Sequence, residues 1–208
     1  MILSVTLSKF PTVLLLDLIY EDMKALRRSF QAKSLNVMVI GRDQIQYEVM
    51  KVKRDLTAYR RLMNRFDTAS VQLQIGVLAS YIISYPSVVT LLYFGFRIFS
   101  VSEDTLKMYE VTINLAFLLF SLFTIPLQTD LIVMEYEKIL DISETQIATC
   151  FDETLAREKQ RVRNYMKLRP FQFYVFRAWE VNLVMPLKFI AFCVSHLLVI
   201  IQIKHKKA

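Results

Sequence analysis

The run LVMPLKFIAFCVSHLLVIIQIK, residues 183–204, constrains this chain more than any other feature. From Phe189 to Ile203 it carries no formal charge, and only Ser195, His196 and Gln202 interrupt it with polar side chains. About 20 apolar residues in a helix cover the hydrocarbon core of a bilayer. A polar side chain inside such a span is costly unless it faces protein or water. Three of them in one closing helix point to a helix that lines an aqueous path as well as crossing.

The rest of the chain agrees with a membrane class. Hydrophobic residues make up 54% of 208, above the roughly 45–50% of soluble domains. Gly (3) and Pro (5) are scarce, so turns are few and helices are long. Apolar stretches at about 2–20, 71–99, 111–134 and 183–203 predict four spans. The first is broken by Lys9, Pro11 and Asp17, and its lack of a basic start and a small-residue cleavage site argues against a signal peptide. The expected fold is all-α: a polytopic helix bundle forming a single membrane domain over 1–208, with long helices extending into the cytoplasm.

Charge orients the spans. Residues 21–69 hold eleven Lys/Arg and residues 135–180 hold eight, whereas 100–110 has only Lys107 against Glu103, Asp104 and Glu110. Lys/Arg-rich flanks stay cytoplasmic. The segments at about 21–70 and 135–180 are therefore expected inside and the short acidic one outside. Both chain ends then fall outside, which Lys204, Lys206 and Lys207 oppose at the C-terminus.

The inner segments have helical periodicity of their own. Ile45, Val49, Val52, Leu56, Tyr59, Met63 and Phe66 recur at intervals of four and three, one face of a helix. Asp43 is the expected N-cap, and no breaker separates this helix from the second span, so one helix should run from about 44 to 99 and extend well beyond the bilayer. Ile147, Phe151, Leu155, Val162 and Met166 repeat the pattern until Pro170 ends it. The first of these faces also fits a basic membrane-surface or calmodulin-type helix. Its fusion to a span favours packing inside the cell and oligomerisation.

Several chemistries are excluded. The chain has no Gly-rich phosphate loop, HExxH, CxxC or Gly-x-Ser-x-Gly, and its two histidines leave little general acid–base capacity. No enzyme, cofactor or metal site is expected. Cys150 lies in a charged stretch and Cys193 in an apolar span, so no disulfide is expected. The net charge of +7 sorts by membrane side and is not a nucleic-acid footprint. Asp130 reads as a solvated helix-end residue or as a partner for Lys188, Lys188 otherwise as a positive charge at a pore entrance that disfavours cations, and His196 as a buried, hydrogen-bonded residue in preference to a pH sensor or metal ligand.

The C-terminus carries a more specific pattern. Ser195-His196 is followed by Leu197, Leu198, Val199, Ile200 and Ile201, then by Gln202-Ile203. This resembles the closing signature of arthropod gustatory receptors and the related odorant receptors: Thr-Tyr, five hydrophobic residues, Gln-Phe. Trp179-Glu180-Val181-Asn182 resembles the family's upstream Phe-x-Leu-Asp. Tyr→His at 196 and the missing glycine before Trp179 depart from it. Family members have seven spans, and this chain looks like the last four, hence a fragment or shortened member.

The resemblance implies a tetrameric, ligand-gated cation channel of the plasma membrane, gated by a small-molecule tastant. It places Val199, Gln202 and Ile203 at the narrowest part of a pore lined by the final helix, where apolar rings gate by dewetting and amides replace part of an ion's hydration shell. Ser195 and His196 would pack and position that helix, and Trp179 and Asn182 belong to the same final-helix signature. Tyr81, Tyr85, Tyr93, Phe117 and Phe120 are the aromatic candidates for a ligand pocket, against the alternative of packing or interface anchors. Against the channel stand a non-conducting accessory protein of the same fold and an unrelated four-helix transporter or scaffold. For Gln202 alone, snorkelling to the interface is the simpler alternative.

Overall fold

The structure, a computed structural model, describes residues 2–32, 42–101 and 105–205. Glu103, Asp104, Lys206 and Lys207, used above to orient the chain, lie outside the described residues. Five helices are described: α1 (Ile2–Gln31), α2 (Arg42–Val101), α3 (Thr105–Ala148), α4 (Glu153–Leu168) and α5 (Val184–His205), with a short hairpin of β1 (Tyr174–Val175) and β2 (Trp179–Glu180) before α5. The all-α expectation is met.

Three of the four expected spans are matched by helices long and apolar enough to cross a membrane, within α2, α3 and α5. α1 is helical but is not one of them, for its run is diluted by Lys9, Asp17 and the charges that follow Tyr20. α2 runs 60 residues, continuing through Gly76, Pro86 and Gly95, and joins the 45–66 face to the second span without a break, as expected. Asp43 lies in its first turn instead of capping it.

One expectation is corrected. The helical run read from Ile147 through Phe151 to Met166 is interrupted. α3 ends at Ala148 and α4 starts at Glu153, and the intervening Phe151 is fully exposed instead of belonging to an apolar face. The cause is local. The Asp152 carboxylate accepts from the Leu155 backbone N–H at 2.7 Å and from Thr154 Oγ1 at 2.6 Å, so Asp152 starts a new helix. α4 then stops at Leu168, two residues before Pro170, whose ring disfavours helix in the residue ahead of it.

The chain divides into two compact units, one of residues 1–14, 72–129 and 173–208, the other of 15–71 and 130–172. In the second unit the predicted periodicity is the core. Leu16, Ile19, Met23, Leu26 and Phe30 form the buried stripe of α1 at alternating intervals of three and four. Val52, Tyr59, Met63 and Phe66 of α2, Ile132, Tyr136 and Ile139 of α3, and Leu155, Val162 and Met166 of α4 complete it. A part-buried ion pair joins Arg27 to Glu135, which also accepts from Lys138 at 2.9 Å.

The first unit packs α2, α3, α5, the hairpin and the start of α1. Leu73, Val77, Tyr81 and Val88 of α2, Leu118, Leu122 and Ile125 of α3, and Cys193 and Leu197 of α5 are buried in it, and Tyr81 Oη donates to the Leu122 carbonyl at 3.4 Å. Gly76 permits a close approach of α1, since a Cβ there would meet Thr12 Oγ1 at 3.1 Å. Many large apolar side chains stay outside this core, among them Ile75, Ile82, Phe94, Ile113, Phe120 and Leu198. Three long apolar helices with bare outer faces call for lipid or another subunit around them.

Candidate functional site

α5 is built to begin where it does. Asn182 Oδ1 accepts from the Val184 backbone N–H at 3.1 Å, a capping bond. Pro186 sits in the first turn, where its missing N–H removes no intrahelical bond. The hairpin before it turns through Phe176 and Arg177, both at positive φ (50° and 57°). The Phe176 N–H is held by Gln74 Oε1 of α2 at 3.1 Å.

The packed face of α5 is carried by Pro186, Cys193 and Leu197. Lys188, Ser195 and Gln202 recur at seven-residue intervals, and all three are exposed. At 3.6 residues per turn their stripe lies roughly 180° around the helix from the packed face. Val199 borders the stripe, and Val199 and Ile203 are both about half exposed. Ser195 satisfies its hydroxyl within the helix, donating to the Ala191 carbonyl at 2.9 Å. Gln202 and Lys188 make no hydrogen bond or ion pair with a described residue.

His196 lies at the flank. Its Nδ1 and Tyr85 Oη share a hydrogen bond of 2.7 Å, and its ring packs against Phe192 with centroids 4.8 Å apart. It is hydrogen-bonded as expected but exposed. Of the aromatic candidates, Tyr81 and Tyr85 come together on α5: Tyr81 meets the Phe189 ring edge-on at 4.9 Å, and Tyr85 lies 5.8 Å from Phe192. Phe117 and Phe120 sit exposed on α3, and Tyr93 is beside the Phe94 ring.

Between α2, α5 and the hairpin opens a cleft of about 770 Å³. Tyr81, Trp179, Phe189 and Phe192 supply its aromatic surface, and Glu180 and Lys188 its charges. Trp179 and Asn182 of the final-helix signature both line it. A smaller cleft in the other unit, about 390 Å³, brings Arg54, Arg61 and Arg65 of α2 together with Asp22 and Asp55. The sequence reading missed both clefts. The heptad spacing of Arg54 and Arg61 was the available signal for the second, and for the first only the fold could bring residue 81 to residue 189.

No family model matches the chain, and no curated protein matches it significantly. Among the described residues no group of His, Cys, Asp or Glu is arranged to hold a metal ion.

Proposed function

We propose that the chain is a subunit of a chemosensory, gustatory-type ligand-gated cation channel in the plasma membrane. Copies of it, four in number, gather with their α5 helices around a shared water path. The observation that carries this reading is the stripe of Lys188, Ser195 and Gln202 on the bare face of α5, opposite the side that packs. An unpartnered amide in hydrocarbon costs several kcal/mol, roughly 4–8 on a water-to-cyclohexane scale. Water between subunits removes that cost, and a ring of amides next to a ring of Val199 side chains provides both a coordination site and an apolar constriction.

The closing signature from Ser195 to Ile203 supports the same assignment. In this reading α1, α2, α3 and α5 correspond to the last four helices of a seven-span receptor, and the Lys/Arg-rich unit containing residues 15–71 and 130–172 faces the cytoplasm. The permeant species is a cation and the stimulus a small-molecule tastant.

The test is electrical. The full chain is expressed in a cell membrane, and current is recorded under a panel of tastants. A tastant-evoked cation current whose ion selectivity changes in Gln202→Ala and whose resting leak rises in Val199→Ala is the expected result. Normal surface expression with no current, or currents indifferent to both substitutions, rejects the channel. A flux coupled to a substrate without single-channel openings replaces it with a transporter.

A further inference from the structure

We propose that the cleft between α2, α5 and the hairpin binds a phosphocholine-headed lipid. The reading rests on the cleft, whose lining shares only Lys188 with the polar stripe of α5. The cleft's six principal side chains divide into three functions. Glu180 presents a carboxylate whose one hydrogen bond among the described residues comes from Asn182 Nδ2, at 3.2 Å to Oε2. Lys188 presents an ammonium with no described partner. Tyr81, Trp179, Phe189 and Phe192 present rings, of which Trp179 and Phe192 are more than half exposed (59% and 53%).

The two charges select the ligand class. Glu180 and Lys188 line the same cleft without pairing to each other. A simple anion would satisfy Lys188 but meet Glu180, and a simple cation the reverse. A zwitterion satisfies both. The aromatic surface narrows the choice further, because aromatic faces beside a carboxylate recognise quaternary ammonium groups. The phosphate then belongs on Lys188 and the trimethylammonium on Glu180 and Trp179. The cleft opens beside an apolar helix whose Phe189 and Phe192 continue the wall, so the remaining ligand is an acyl chain. Trp and Lys at the end of a span are also placed where headgroups lie.

Trp179 is the only tryptophan of the chain, which makes its fluorescence a direct report of the cleft. The full-length protein is purified in detergent and titrated with brominated phosphatidylcholine, phosphatidylethanolamine and phosphatidylglycerol, with soluble phosphocholine as competitor. Quenching by brominated phosphatidylcholine at about one tenth the concentration needed for the other two is expected, since one strong cation–ring contact is worth about that factor. The preference should vanish in Lys188→Gln and in Glu180→Gln, with helicity by circular dichroism unchanged because both residues are exposed. Soluble phosphocholine should compete only at much higher concentration. Equal quenching by all three lipids would mean annular contact alone and overturn the site. So would a preference untouched by both substitutions, or phosphocholine binding without any lipid quenching.

Discussion

The hydroxyl of Tyr59 donates to the backbone carbonyl of Arg169 at 2.6 Å. The last carbonyls of a helix have no partner of their own, and here Pro170 follows with no N–H to offer. A second tyrosine does parallel work: Tyr136 Oη donates to the Met166 carbonyl at 2.9 Å, with the two rings stacked at 6.3 Å. Two buried hydroxyls, one from α2 and one from α3, thus hold the end of α4. They differ in what their loss leaves behind. The Met166 carbonyl keeps the Arg169 backbone N–H at 3.2 Å, whereas Tyr59 is the only donor to the Arg169 carbonyl among the described residues. Tyr59→Phe should therefore cost about 1–2 kcal/mol and Tyr136→Phe about half that. Unfolding of the purified protein in detergent measures both, and a larger cost at Tyr136 would refute the orphaned-acceptor argument.

How far the sequence foretold this is instructive residue by residue. The α2 face from Ile45 to Phe66 was legible because a 3.6-residue period survives any tertiary context, and Val52, Tyr59, Met63 and Phe66 are indeed buried. The α3–α4 break was not, because Phe151 fitted the same period while Asp152 acts through a hydrogen bond to a backbone group three residues on. The polar residues of α5 were legible as polar. Which way they face was not, for a uniformly apolar helix has no amphipathic direction until Cys193 and Leu197 find their partners. The charges of the α5 cleft were visible singly, but their sharing of one cavity depends on a hairpin whose strands are two residues long.

The Asp152 cap gives a pH dependence of known sign. The hydrogen bond from Thr154, then that from the Leu155 backbone N–H, hold its carboxyl below the usual aspartate value. A carboxyl lowered in the native state stabilises it when ionised. That contribution is fully present above the unfolded value of ~4 and is lost as pH falls through the lower native value. Asn caps helices about as well as Asp without titrating. Asp152→Asn should thus keep the α4 helicity of the parent at neutral pH and lose less of it in acid, while Asp152→Ala should be weaker at every pH. Circular dichroism and unfolding midpoints across the acid range decide it. An Asn variant that follows the parent curve throughout would show the cap to be silent.

Arg177 is held at φ 57° in the hairpin turn, next to Phe176 at 50°. A side chain with a Cβ pays roughly 1–2 kcal/mol in that region, where glycine pays none. Arg177 is exposed and makes no bond to a described residue, so nothing visible offsets the penalty. Arg177→Gly is expected to stabilise the protein by about 0.5–1 kcal/mol after the added entropy of the unfolded chain, and Arg177→Val to destabilise it by at least as much. A higher unfolding midpoint for Gly than for Val and for the parent is the required order. Loss of stability in the Gly variant would mean that the guanidinium has a partner that this turn was strained to reach.

The bare face of α5 makes the sharpest demand on assembly. If subunits surround water along Lys188, Ser195 and Gln202, the copies of residue 202 approach one another, and residue 197, on the packed side, does not. Disulfides form only where Cα atoms come within about 7 Å. Cys150 and Cys193 are replaced first, by Ser and Ala, since both are unbridged thiols. In that background Gln202→Cys should yield covalent dimers in membranes under mild oxidation, Ser195→Cys fewer, and Leu197→Cys none. The same three positions separate the alternatives. An amide that merely reaches for the lipid interface leaves residue 202 uncrosslinked, because nothing then holds two copies together there. Crosslinking at 197 in preference to 202 would invert the assignment of faces and remove the water path with it.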